Sequence, residues 1–311
     1  MSSLTVNLHL LLASFYRPSP ERWRILIEEE AFPSDTYAVQ SQAAWHGLDP
    51  SEAILRAPLD RVEAVLKAEG SSVAVVLLPG VSYLTGEALD VQRLTAAAHA
   101  AGAVAAWDLA HAIGNVPLGL HGWQVDFAVW CTYKYLNAGP GAPGGAFVHE
   151  RHSHDRSRPR LAGWWGTDPV ERFRMDPDFV PQPGAHGFAA STPSILGLAP
   201  LRASLELFDR IGFTRLRDRS LHLTCYLEDR LDELPADAGV RLITPREPGA
   251  RGCQLSVSVP GARDLAARLR DEHGVICDFR EPDVLRFAPV PLCNTFHDCW
   301  RAAEALRQVL A

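Results

Sequence analysis

Apolar residues gather into short unbroken runs over residues 73–78, 103–107, 127–130 and 146–148. Runs of four to eight apolar residues bounded by turn residues read as strands buried on both faces. Helical periodicity fills the gaps between them. Leu59, Val62 and Leu66 recur on one face before Gly70, and residues 89–101 form a second helix stopped by Gly102. Alternating strands and helices predict an α/β fold with a mostly parallel sheet. Nearer the start, Leu8, Leu11, Leu12 and Phe15 share a face of a helix over residues 6–15, with Thr5 or a preceding serine as its N-cap. A short strand over 24–27 and a helix over 37–47 follow.

The second half is patterned differently. Residues 198–233 read as one long helical stretch with Leu201, Leu205 and Leu216 on its apolar face. Beyond it come a strand over 254–259, a helix over 264–273, strands over 275–279 and 284–287, and a last helix over 295–311 capped by Thr295 or Asn294. The expected organisation is a large domain over residues 1–197, then a connecting helix and small C-terminal α/β domain over 198–311.

Composition narrows the class. The 311 residues are 47% hydrophobic and 22% charged, as in an ordinary soluble globular protein. A net charge of −7 argues against nucleic acid or an anionic membrane as partner. Six scattered cysteines do not make a disulfide framework and suggest a reducing, cytoplasmic setting. No signal peptide or membrane-length apolar stretch is seen, and no metal site is expected. His149, His152 and His154 lack an acidic or cysteine partner at ligand spacing and read as loop histidines. Glu28, Glu29 and Glu30 read as a solvated patch.

The candidate chemistry lies at two strand ends. Residues 127–130 lead into Cys131-Thr132-Tyr133-Lys134-Tyr135, followed by a loop of Asn, Gly, Ala and Pro. Alone, Lys134 is a lysine snorkelling from a strand end. Asp108 ends the preceding strand, and open α/β sheets place ligand chemistry at such carboxyl ends. A pyridoxal phosphate site needs a lysine for the aldehyde and a carboxylate for the ring nitrogen. Asp108 and Lys134 on successive strands meet both needs. Arg286 sits in Leu285-Arg286-Phe287 and must find an anion; a structural ion pair is the usual answer.

Two long segments, residues 107–115 (WDLAHAIGN) and 127–139 (FAVWCTYKYLNAG), closely resemble kynureninase. The resemblance runs from Leu4 to the C-terminal helix. It implies the three-layer fold type I of pyridoxal-phosphate-dependent transferases. It also implies hydrolytic Cβ–Cγ cleavage of kynurenine or 3-hydroxykynurenine, to alanine and an anthranilate, in tryptophan catabolism. On this resemblance Lys134 holds pyridoxal 5'-phosphate, Asp108 binds the ring nitrogen and Tyr133 serves the phosphate and proton transfer. Leu4 and Thr5 would hold the phosphate, while Phe32 and Asp35 would flank the ring. His111 would buttress Asp108 or a cofactor oxygen, or be structural. Trp164 and Thr192 would reach the phosphate of a neighbouring subunit in a homodimer, and Arg286 would grip the substrate carboxylate. Some family members have a serine at the position of Pro79 and an asparagine at that of Thr192. The family also carries a long segment ahead of the matching stretch, so the chain reads as N-terminally truncated. Two alternatives stand beside this: a cysteine desulfurase or aminotransferase of the same superfamily, and a non-catalytic cofactor-binding homologue. A desulfurase needs a cysteine on a mobile loop, whereas Cys131, Cys253 and Cys277 fall in apparent strands.

Overall fold

The computed structural model describes residues 1–311, which divide into two compact units. The first comprises residues 1–80, 90–113 and 118–204, and the second residues 81–89, 114–117 and 205–311.

The first unit is built on six strands: β1 (Arg24–Glu28), β2 (Ile54–Ala57), β3 (Val73–Pro79), β4 (Val104–Asp108), β5 (Phe127–Trp130) and β6 (Gly145–Val148). Their order is β2-β1-β3-β4-β5-β6, parallel except for β6, which pairs antiparallel with β5. Helix α1 (Leu4–Phe15) covers one face. Its Leu8, Leu11, Leu12 and Phe15 join Ile25, Ile27, Val75, Leu77, Phe127 and Val129 in one core. On β4 the alternate residue Trp107 is fully buried and donates its indole N–H to Thr95 Oγ1 of the helix Val91–Ala100 (3.0 Å). Residues alternating along each strand thus bury both faces, as apolar runs in a parallel sheet require.

Helix starts depart from the periodicity. Helix α1 begins at Leu4, so Ser3 is its cap residue and Thr5 lies inside the first turn. Helix α2 (Pro33–Trp45) starts four residues before the expected 37. Pro33 takes the first helical position, where its missing N–H costs nothing. The edge strand β2 is too short to show a period, and the sequence reading passed over it.

The second unit carries a four-stranded antiparallel sheet of β7 (Arg241–Leu242), β8 (Leu255–Ser258), β9 (Asp278–Arg280) and β10 (Val284–Phe287), ordered β7-β8-β10-β9. Leu223, Leu227 and Leu231 of the helix Phe213–Asp232 pack with Leu255, Val257, Leu285 and Phe287 of the sheet. Leu306 and Val309 of the helix Phe296–Leu310 complete the core, and Thr295 and Asp298 cap that helix reciprocally. The long helical stretch expected over 198–233 is two helices, Ile195–Ile211 and Phe213–Asp232. Gly212 separates them with a φ of +86°, a left-handed backbone that disfavours other residues. Strand β9 begins at Asp278, later than the expected 275, and leaves Ile276 87% exposed.

Candidate active site

Strands β3, β4 and β5 end together. Pro79 pairs with Asp108, and Asp108 with Val129, so the chain leaves the sheet at neighbouring points. The backbones close tightly there: Gly80 N–H donates to Asp108 O at 2.8 Å. A Cβ on Gly80 would lie 2.7 Å from Leu109, which explains a glycine directly after β3. Beyond β5, Thr132 Oγ1 donates to Pro143 O (2.6 Å) and fixes the loop that carries Lys134. That loop is also tied to the chain start. Gly144 N–H donates to Ser2 O (2.6 Å), and the Met1 amine donates to Gly144 O (2.9 Å).

Asp35 from the first turn of α2 and Asp108 from β4 are both buried and hydrogen-bonded to each other. Burial, and then the neighbouring Asp108, raise the Asp35 carboxyl well above the ordinary range. Burial also raises Asp108, opposed by its bond to Asp35, by the Ala110 N–H (2.6 Å) and by Lys134. Lys134 acts on both carboxyls, and its Nζ lies 5.8 Å from the centre of the Phe32 ring. Asp35 Oδ1 is buried with no hydrogen-bond partner. A buried acid pair with an unused acceptor, next to an amine and an aromatic face, suits a flat cationic ring.

Glu28 belongs to this cluster, contrary to the solvated patch expected of the three glutamates. It is the last residue of β1, only 5% exposed, and its charge helps raise Asp35. Glu29 and Glu30, outside the strand, are exposed. Nothing in a run of three glutamates distinguishes the one that faces inward; the strand's last residue does so only once its end is known.

The start of helix α1 has the features an anion site needs. Its first internal bond runs from Asn7 N–H to Ser3 O, so the amides of Leu4, Thr5 and Val6 lead the helix without acceptors inside it. The first turn holds no acidic side chain, leaving the positive end of the dipole uncompensated. Thr5 Oγ1 and Ser34 Oγ lie 2.8 Å apart, placing a second hydroxyl beside that end. Ser34 was not singled out in the sequence, although it lies between Phe32 and Asp35.

Tyr133 is half exposed and hydrogen-bonded to Cys131; burial first, and then Cys131, raise its hydroxyl. His111 sets its ring edge-on against Tyr135, at 5.7 Å between centres. Trp164 is 46% exposed with its ring edge-on to Phe173, and Thr192 is exposed; both lie on segments outside the Asp35–Asp108–Lys134 cluster. Arg286, in the second unit, is 8% exposed and pairs with Asp278. Of the histidines after β6, His152 does have an acidic partner, contrary to the expectation, because the fold brings Asp126 from just ahead of β5 beside it. His152 Nε2 lies 2.7 Å from Asp126 Oδ1, and His149 stacks on His121.

The raised acid pair has a consequence for stability. A carboxyl whose folded pKa exceeds its unfolded value of about 4 keeps its proton longer in the folded state. Its contribution therefore declines as pH rises from that value through the folded one. Cofactor-free Asp35→Asn should melt about 2–5 °C above wild type at mildly alkaline pH, with the gain shrinking toward pH 4. Thermal melts at both pH values check this; a pH-independent gain contradicts it.

Comparison with known proteins agrees with this constellation. The profile described as the kynureninase C-terminal domain matches residues 216–306. A kynureninase of Salinispora tropica is 56% identical over 98% of this chain and 74% of the relative. Those of Koribacter versatilis and Myxococcus xanthus are 53% and 52% identical, again over 98% of this chain and 74% of each relative. The chain belongs to the kynureninase family. Among solved structures, the cysteine desulfurase CsdA from Escherichia coli superposes with a TM-score of 0.80 at 21% identity, covering 99% of this chain and 77% of that one. An alanine–glyoxylate aminotransferase from Nostoc gives 0.70 at 20%, covering 100% and 80%. At such identities these two share the fold: the α/β fold type I of pyridoxal-phosphate enzymes. For a kynureninase the cysteines are placed inertly. Cys131 and Cys253 are buried next to strands rather than within them, and burial pushes the Cys277 thiol, just ahead of β9, up to about 11.

Proposed function

We propose that this chain hydrolyses L-kynurenine, or 3-hydroxykynurenine, at the Cβ–Cγ bond, using pyridoxal 5'-phosphate. One water is consumed, and L-alanine and anthranilate (or 3-hydroxyanthranilate) are released. The observation that carries the reading is the buried Asp35–Asp108 pair acting on Lys134 in a chain of the kynureninase family. Bound there, the cofactor supplies an aldehyde that joins amines and a protonated ring that takes up electron density. Lys134 Nζ would be the amine that holds it and the base that takes the substrate α-proton. Asp108 would hold a proton at the ring nitrogen, with the Asp35 carboxyl, raised by burial and by Asp108, beside it. Phe32 would offer its ring face, and His111 would buttress Asp108 or a cofactor oxygen. The amides of Leu4 and Thr5, with the hydroxyls of Thr5 and Ser34, receive the phosphate. The Tyr133 hydroxyl, the exposed polar group nearest Lys134 in sequence, relays a proton to the product carbon. Arg286 binds the substrate α-carboxylate.

The same reading makes the protein a cytoplasmic homodimer; six cysteines that form no disulfide suit a reducing compartment. No helix is long and apolar enough to cross a membrane. Val170, Phe173, Met175, Ile195 and Leu196 are each more than 70% exposed and stand near Trp164 and Thr192 in sequence. Large apolar side chains so exposed mark a surface another chain covers. With Trp164 and Thr192 lent across that surface, dilution to monomer should release the cofactor. A sedimenting monomer that keeps a full complement of cofactor contradicts the shared site.

Activity is tested by reconstituting the chain with pyridoxal phosphate and following anthranilate fluorescence from kynurenine. Alanine should appear in equal amount. Cofactor binding without either product would favour the non-catalytic reading.

A further inference from the structure

Arg286 and Asp278 are direct partners in the antiparallel register of β10 and β9. The Arg286 guanidinium donates through Nη2 to Asp278 Oδ2 and through Nη1 to the Tyr83 carbonyl. Its Nε–H is buried with no acceptor. A guanidinium carries five N–H donors, so after these two bonds it keeps enough for a bidentate carboxylate. A buried donor without a partner in a native fold calls for an explanation, and an arriving acceptor is one.

Asp278 is held from its other side as well. Arg280 Nη1 lies 2.9 Å from Oδ1, and Arg280 Nη2 2.9 Å from Oδ2. One carboxylate thus lies between two guanidiniums, and the trio keeps one net positive charge. Without Arg280, Asp278 would neutralise Arg286 and make it a weak site for an anion. With Arg280 in place, Asp278 orients Arg286 and leaves its charge available.

We propose that Asp278, charge-balanced by Arg280, is the positioning residue that fixes the Arg286 guanidinium plane for the substrate α-carboxylate. The proposal rests on reading Arg286 as the carboxylate-binding residue. A planar fork binds a carboxylate bidentately only when held in the ligand's plane, and displacement by an ångström is costly. Tyr83 O fixes one nitrogen of the guanidinium; Asp278 fixes the second and so removes rotation about the remaining axis.

The test is steady-state kinetics on the holoenzyme, with cofactor absorbance and melting temperature measured on every variant. Asp278→Ala should raise KM for kynurenine about tenfold to a hundredfold, leaving kcat, absorbance and melting temperature near wild type. Arg280→Gln should raise KM too, because the uncompensated Asp278 then draws on the charge of Arg286. Adding Asp278→Asn to Arg280→Gln should recover most of that loss, a rescue that a merely structural ion pair would not show. An unchanged KM in Asp278→Ala overturns the proposal, as does a joint fall in kcat, absorbance and melting temperature. Arg286→Lys separates the two levels. A normal KM in that variant removes Arg286 from the site altogether, whereas an impaired Arg286→Lys beside a normal Asp278→Ala removes only Asp278.

Discussion

Lys134→Ala should lower kynurenine cleavage by about 10⁴-fold or more, because on the proposed mechanism one side chain serves both as the amine that holds the cofactor and as the base for the α-proton. The position of Lys134 supports that reading. It follows β5 on a loop fixed through Thr132 and Pro143, and it is the lysine that acts on the Asp35–Asp108 pair. Lys134 is half-buried, and its removal deletes no core packing, so the variant should fold and melt close to wild type. Added free amines should restore part of the proton transfer without restoring tight cofactor retention. Turnover within tenfold of wild type would show that another group does this work.

Arg286 should behave differently. Truncating a buried, hydrogen-bonded charge that receives a ligand carboxylate costs about 2–5 kcal/mol. Arg286→Ala should therefore lose roughly thirty-fold or more in kcat/KM. Lysine should not rescue it, since an ammonium lacks the planar two-donor fork. The cofactor absorbance should stay at its wild-type value, because Arg286 lies on β10 and the lysine loop on β5. If Arg286 serves only the strand pairing with Asp278, the outcome reverses. Arg286→Lys would then keep its efficiency, and Arg286→Ala would lose melting temperature and cofactor together.

Much of the site was legible because its residues sit where strands stop. Both Asp108 and Lys134 follow apolar runs whose ends turn residues mark, and β5 spans residues 127–130 as read. The final helix was equally plain, since Thr295 and Asp298 form a capping box. What escaped was whatever depends on two distant segments meeting. Glu28 looks like its two exposed neighbours until β1 is seen to bury its last residue. Ser34 gains meaning only when α1 brings Thr5 to 2.8 Å from it. The Asp278–Arg286 pair needs the β9–β10 register, and β9 itself was placed too early because Val275 and Ile276 are apolar yet lie outside the strand. Gly212 reads as an ordinary glycine in a helical run, whereas its positive φ divides two helices.

The most direct measurement of the central claim, that Lys134 carries the cofactor, is borohydride reduction of the reconstituted protein followed by peptide mapping. One pyridoxyl group per chain, on the peptide containing Lys134 and absent from Lys134→Ala, is the predicted result. A reduced adduct on Lys67, or an undiminished adduct in Lys134→Ala, would contradict it.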